Sequence, residues 1–306
     1  MSKSSFCVAA ISLLCLLPLP AEAAYSERVC RNLEQNFAQI ARSASTVEIN
    51  ALLFSAAEKG CLELAERVLE AGASVEARDG RGRKALSRAA AAGQVRLVTL
   101  LLDRGAPIDA RDLEGSTALY MAAETGRLAI IRLLVERGAD VNLPGRNEIT
   151  PLSAAAYMGS APIVKFLIEK GGNPNGMDQT GKGSLVYAAG RGFTPVARLL
   201  LDSGVDVNAR YGHNLTALMW AAGHSSDAGT RDIVQVMTLL LDRGARIDEQ
   251  DDRGRSALMI AAELDHEAAV DLLLAHGADK SLKDKQGKTA ADLTSLTALR
   301  EKLASR

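Results

Sequence analysis

Four histidines, His213, His224, His266 and His276, are the residues of this chain best suited to proton transfer or metal ligation. No two of them stand four residues apart, and no HExxH pair occurs, so two imidazoles do not share one helix face. A GxSxG nucleophile turn and a GxxxxGK[ST] phosphate cradle are also missing. Of the four cysteines, Cys7 and Cys15 lie in an apolar N-terminal run, which leaves Cys30 and Cys61. Two thiolates are too few for a structural metal site. An oxidising compartment would permit a disulfide, closing a loop that contributes roughly 3–4 kcal/mol. Two inert thiols are the other reading. What remains suits contact rather than bond-making. Tyr157, Met158, Tyr187, Arg191, Tyr211, His213, Trp220 and His224 form an aromatic and basic set, of the residue types enriched where proteins bind. Arg78, Arg81, Arg83 and Arg88 form a compact basic cluster suited to an acidic partner, or simply to a solvated face. No metal or cofactor and no catalytic activity are expected from these residues.

Composition narrows the class further. The chain has 306 residues, 47% of them hydrophobic and only 4% aromatic, with Ala and Leu dominant. That favours closely packed helices over sheets. A formal net charge of −1 gives no global attraction for nucleic acid or an anionic membrane. Residues 1–23 have a different character. Lys3 precedes the uncharged run Phe6 to Leu17, then "PLP", then small residues at Ala21 and Ala23. This is the order of a secretory signal peptide cut after Ala23. As a helix the run would span about 18 Å, short of a hydrocarbon core of ~30 Å, so no lasting membrane insertion is expected. The expected location is the periplasm, or the extracellular space.

The residues are positioned by a repeat. "LLLDRGA" occurs at Leu100–Ala106 and again at Leu239–Ala245. Glycines follow leucine-rich runs at Gly72, Gly105, Gly138, Gly171, Gly204, Gly244 and Gly277. Their spacing is 33 residues, with a single interval of 40. Leu53, Leu86, Leu119, Leu152, Leu185, Leu218 and Leu258 keep the same spacing. In one unit, "TALYMAAETG" predicts a short alanine-rich helix. "LAIIRLLVERG" predicts a second, with Ile130, Ile131, Leu133 and Leu134 on one face. Gly138 then stands where a helix ends in the left-handed conformation. One such pair cannot bury its apolar face, but a stack of pairs can.

"ITPLSAAAYMGSAPIVKFLIEKGGNPN", Ile149 to Asn175, resembles an ankyrin repeat, as do "STALYMAAETGRLAIIRLLVERGADVN" and "LTALMWAA". The resemblance runs from Asn50 to about Leu303. It implies an all-α solenoid of antiparallel helix pairs, with β-turn fingers between pairs and a groove lined by inner helices and fingers. The fingers are "RDGRG" (78–82), "RDLEG" (111–115), "PGRNE" (144–148), "MDQTG" (177–181), "RYGHN" (210–214), "QDDRG" (250–254) and "KDKQG" (283–287). Asn214 replaces the closing glycine once, and asparagine tolerates positive φ. Glu148 departs from the pattern, and a distorted finger is expected there.

The expected domains are a signal peptide (1–23), an N-terminal capping helix (24–49), seven repeats (50–288) and a C-terminal cap (289–306). In the capping helix Val29, Leu33, Phe37 and Ile40 share one face, which brings Cys30 near Cys61. Seven inserted residues fall near 223–235. They lengthen the turn inside the pair that carries Leu218, or its second helix, with Asp227 or Thr230 as the N-cap. Tyr211 and His213 are expected to project from their finger, with Trp220 beside them as packing or as contact surface. These readings favour a monomeric, exported module that binds another folded protein through the groove, without chemistry and without nucleic acid. A small-molecule or metal-binding protein using Tyr211, His213 and His224 is the alternative. A secreted effector acting on a host protein is a weaker one.

Overall fold

The computed structural model describes residues 21–223 and 229–305. The signal-peptide reading therefore lies outside the described residues, except for Ala21–Ala23, which begin the first helix. Among the described residues the regular structure is helical, with isolated β-bridges at Met177–Gly183 and Tyr211–Leu215.

The chain begins with α1 (Ala21–Ile40), followed by antiparallel pairs. These are α2 (Thr46–Lys59) with α3 (Leu62–Glu70), and α4 (Ala85–Ala92) with α5 (Val95–Asp103). Next come α6 (Ala118–Glu124) with α7 (Leu128–Glu136), α8 (Pro151–Tyr157) with α9 (Ala161–Glu169), and α10 (Ser184–Gly190) with α11 (Thr194–Asp202). The last are α12 (Ala217–Ala222) with α13 (Thr230–Asp242), α14 (Ala257–Glu263) with α15 (Glu267–Ala275), and α16 (Ala290–Leu293) with α17 (Thr297–Ala304). Each even-numbered helix from α2 to α16 packs on the next, forming an inner row, and α3 to α15 form an outer row.

Alanine makes the inner row possible. Ala89, Ala122, Ala155, Ala188, Ala221 and Ala261 are fully buried, where a larger side chain would hold neighbouring backbones apart. Outer helices supply the bulk: Leu101, Ile131, Leu134, Val164 and Leu200 are equally buried. Thr117, Thr150, Thr216 and Ser256 open inner helices by accepting the N3 amide on their hydroxyls. Gly138 closes α7 at φ +91°, and Ala139 N–H then donates to the Leu134 carbonyl at 2.9 Å. Carboxamides and carboxylates next tie unit to unit. Asn142 Oδ1 accepts the Asn173 amide at 2.8 Å while its Nδ2 donates to the Gly171 carbonyl at 3.0 Å. Asn208 repeats both bonds to Arg246 and Gly244.

The structure corrects the end of the capping helix and the N-cap of the inserted segment, and favours the second-helix reading of the insertion. The capping helix does not run to residue 49. It stops at Ile40, and α2 starts at Thr46 behind a capping box made by Ser45 and Glu48. The insertion lengthens the second helix: α13 has thirteen residues where α5, α7, α9, α11 and α15 have nine. Its N-cap is Gly229 and Thr230 is already helical. Asp227 and His224 lie outside the described residues. The finger at 144–148 keeps its closing bond, Gly145 N–H to the Ile149 carbonyl at 2.9 Å. Its backbone differs at the tip, where Asn147 and Glu148 are both left-handed, at φ +56° and +59°. His213 and Asn214 make the same tip at φ +60° and +63°.

Helix α1 covers the open end of the stack. Phe37 is buried and Arg67 lies over its ring at 5.2 Å. Cys30 is bonded to Cys61, a buried residue at the N-cap of α3, at a sequence separation of 31. Helix α1 otherwise adds little deep burial, so the covalent tie is its main anchor. Reduction, or the Cys30→Ser/Cys61→Ser double variant, is expected to cost up to about 3–4 kcal/mol by loop closure. Urea unfolding with and without reductant checks this. Amides of α1 should lose hydrogen-exchange protection first, and an unchanged midpoint would refute the cap's dependence on the bond.

Candidate functional site

Five of the seven fingers are turns that fold onto their own aspartate. Asp79 Oδ1 accepts the amides of Arg81 and Arg83, both at 2.9 Å. Asp112, Asp178, Asp251 and Asp284 do the same for their own turns. The residue before the aspartate ties one finger to the next. Arg78 Nη1 donates to the Gly82 carbonyl at 2.8 Å and to the Arg111 carbonyl one unit on at 2.7 Å. Arg111 reaches the Gly115 and Pro144 carbonyls, Arg210 those of Asn214 and Gln250, and Gln250 those of Gly254 and Lys283. Pro144 and Met177 occupy this position in the third and fourth fingers and have no such donor.

The third and fifth fingers also lack the aspartate, carrying Gly145 and Tyr211 there. Gly145 is required because the ring of buried Tyr120 lies where a Cβ would sit, 2.2 Å from Cγ. Tyr211 does not project. It is only 7% exposed, its ring lies against Gly183 of the preceding finger, and burial pushes its hydroxyl up to about 12. The expectation that it forms part of an exposed surface is corrected, because an aromatic ring in the place of the turn aspartate folds inward against that glycine.

The basic cluster is mostly internal bracing. Arg88 pairs with Asp79 at 2.9 Å and with Glu58, its guanidinium 5.8 Å above the Phe54 ring. Arg83 also pairs with Asp79, at 3.1 Å. Arg78 is the strut already described. Arg78 and Arg81 are the exposed pair of the four, and neither meets a carboxylate among the described residues, but the Arg78 guanidinium is held by two carbonyls whereas that of Arg81 has no such bond there. Arg81 borders a depression between fingers and inner helices that also includes Met121, Glu124 and Arg146.

The aromatic set does assemble. Tyr157, 45% exposed at the end of α8, meets Tyr187 of α10 edge to face, with centroids 5.7 Å apart. Arg191 lies over Tyr157 at 4.4 Å and over Phe193 at 5.4 Å. The Tyr187 hydroxyl donates to Asp178 Oδ2. Burial pushes the Asp178 carboxyl up, but bonds from Tyr187, the Lys182 amide and Thr180 outweigh it and hold the group below its ordinary value. Burial and the bonded carboxylate push the Tyr187 hydroxyl up. Lys182 Nζ stands 5.0 Å from the ring centroid of Trp220, which is half-buried on α12. The Trp220 indole N–H is buried and finds no acceptor among the described residues. Met158 is 48% exposed beside Tyr157. Met158, Tyr187, Arg191 and Trp220 thus join Tyr157 on one ledge.

The three described histidines do not converge. His213 is exposed at a finger tip, His266 caps α15 with Nδ1 against the Ala222 carbonyl at 2.9 Å, and His276 lies at the far end of α15. No group of three metal-binding side chains occurs among the described residues.

The family model for ankyrin repeats (3 copies) matches residues 53–145, 142–211 and 211–284, nearly the whole helical stack. The chain belongs to the ankyrin-repeat family. No curated protein gives a match. Ankyrin repeats are protein–protein interaction modules.

Sequence reasoning singled out Tyr157 and Arg191 but missed Lys182, Asp178 and Phe193. Aligning units by their 33-residue spacing would have shown them. Arg88, Tyr187 and Trp220 are equivalent positions, each nine residues after Asp79, Asp178 and Tyr211. A residue at that position reaches back to the finger, so the pairs Arg88–Asp79 and Tyr187–Asp178 share one geometry.

The first finger's bracing carries a pH dependence. Hydrogen bonds from Arg88 and then Lys59 hold the Glu58 carboxyl down from 4.5 to about 2. A folded-state value below the unfolded one stabilises the fold at higher pH. That contribution is lost as pH falls from about 4.5 towards 2. Arg88→Met is expected to lower stability at pH 7 by about 1–3 kcal/mol and to flatten this acid limb. Thermal melts from pH 7 to about pH 2 check both effects, and an equally steep limb in the variant would refute the assignment.

Proposed function

We propose that this ankyrin-repeat protein is an exported, monomeric binding module. It holds one folded partner protein against the fingers and inner helices, without chemistry of its own and without nucleic acid. The observation that carries this reading is the ledge of Tyr157, Met158, Tyr187 and Arg191. Two large side chains, each nearly half exposed, stand beside a guanidinium held by aromatic rings rather than by a carboxylate. Large amphipathic groups fixed in place before binding contribute most of the energy at protein interfaces. The stack supplies that fixation, since each inner helix is wedged between two others. Export is supported by the N-terminal run of residues 1–23 and is compatible with the Cys30–Cys61 bond. Described helices include none long and apolar enough to cross a membrane.

The chain, immobilised and exposed to a periplasmic extract of its source, is expected to retain one protein in near-stoichiometric amount. The Tyr157→Ala/Arg191→Ala variant, with unchanged circular dichroism, should lose it. A partner kept by the variant would place the contact elsewhere. No retained protein under conditions where the chain is folded would overturn the reading.

A further inference from the structure

The fingers carry a charge that the chain as a whole does not. In the seven segments 78–84, 111–117, 144–150, 177–183, 210–216, 250–256 and 283–289 there are thirteen Lys and Arg but eight Asp and Glu. The whole chain has 36 against 37. Five of those eight acids, Asp79, Asp112, Asp178, Asp251 and Asp284, accept the amides of their own turns and face inward rather than towards a partner. The finger edge is therefore a basic row on a nearly neutral protein.

Much of that positive charge is matched internally. Arg83 meets Asp79, Lys84 meets Glu76, Arg146 meets Glu124, Arg210 meets Glu249, and Arg255 meets Glu263. The ledge differs. Lys182 is equivalent by repeat to Arg83 and Arg255, but its own finger's aspartate is occupied by Tyr187, and its ammonium rests on Trp220 instead. Arg191 rests on Tyr157 and Phe193. Neither has a carboxylate within 4.0 Å among the described residues. A cation stacked on a ring keeps its charge and offers its other face. Two such cations flank Tyr187, with exposed Met158 and Met177 beside them.

We propose that the occupant of this face is an acidic segment of a partner protein. Its carboxylates meet Lys182 and Arg191, and an apolar side chain between them rests on Tyr157 and Met158. The proposal rests on the binding role given above and names the chemistry of the partner. Nucleic acid fits less well. Glu114, Glu148 and Asp252 stand exposed on three fingers, where a phosphate backbone would pass, and the ledge itself is largely apolar. Like charge at those tips instead favours a partner whose acids are spaced to avoid them.

The test is selection of random twelve-residue peptides displayed on phage against the purified chain, followed by fluorescence anisotropy with the most enriched peptide. The enriched sequences are expected to place Asp or Glu on either side of an aromatic or large aliphatic residue. Binding should weaken steeply as NaCl rises from about 0.05 to about 0.5 M. It should fall about tenfold in a Lys182→Gln/Arg191→Gln variant of unchanged melting temperature. Enrichment of neutral or basic peptides, or equal affinity for the Asn/Gln counterpart of the chosen peptide, would overturn this inference and leave protein binding standing. Tighter binding of single-stranded oligothymidine of matching length would overturn it in favour of nucleic acid. No enrichment, together with no protein retained by the immobilised chain, would remove the binding role as well.

Discussion

Everything in this molecule follows from the inability of one helix pair to hide its own apolar surface. Inner helices of six to eight residues such as α4 and α12 are too short to be stable alone in water. They persist because alanines such as Ala122, Ala155 and Ala188 are sealed by the units on either side. The same requirement sets the period. A drift from 33 residues has to leave in place the bonds that join neighbours, such as Asn142 to Asn173, and Asn208 still reaches Arg246 across the longer unit. The drift is tolerated at α13 because the extra residues lengthen the outer helix at its start, leaving "LLLDRGA" in register with its earlier copy. The requirement also explains the ends. A stack has two uncovered faces, and this one closes the first with α1 and a disulfide, the second with α16 and α17.

The fingers solve a different problem, since they must project from the helices without bringing unsatisfied amides with them. The turn aspartate satisfies two amides, and the arginine or glutamine before it binds carbonyls in two fingers at once. This strut is missing at Pro144 and Met177, in the third and fourth fingers. Those fingers lead into α8 and α10, the helices that carry Tyr157 and Tyr187. Departures from the repeat's structural rules and exposed contact groups thus fall in one place. Such a coincidence is expected where a site has been placed on a regular scaffold.

The fold was legible because it is written seven times. Leucine and glycine spacing located every helix pair, and small errors arose only where the pattern ends or breaks. Ser45 and Glu48 form a capping box that reading from the repeat alone passed over, which misplaced the start of α2. The site was legible only in part, because repeat position tells which face a residue shares but not how far its side chain turns. Tyr211 and Tyr187 look alike in sequence. One replaces a turn aspartate and folds under, while the other faces such an aspartate and stays at the surface. Arg88 resembles Arg191 in the same way, yet Glu58 and Asp79 consume its charge and rings cradle the other. Partners one unit away decide these cases, and a single unit read in isolation does not show them.

That nearest-neighbour logic bears on how the ledge could arise without harming the stack. Contacts in a solenoid reach only adjacent units, so a change in α10 is felt in α8, α11, α12 and α13 and hardly beyond. Tyr187 can therefore replace the arginine seen at position 88, and Lys182 can lose its carboxylate to that tyrosine, while the first finger keeps its bracing intact. Stability is concentrated in the alanine and leucine positions that recur in every unit. Specificity is left to the positions beside them, which differ from unit to unit. The face proposed to bind and the core that holds the chain together occupy different residues of the same short helices.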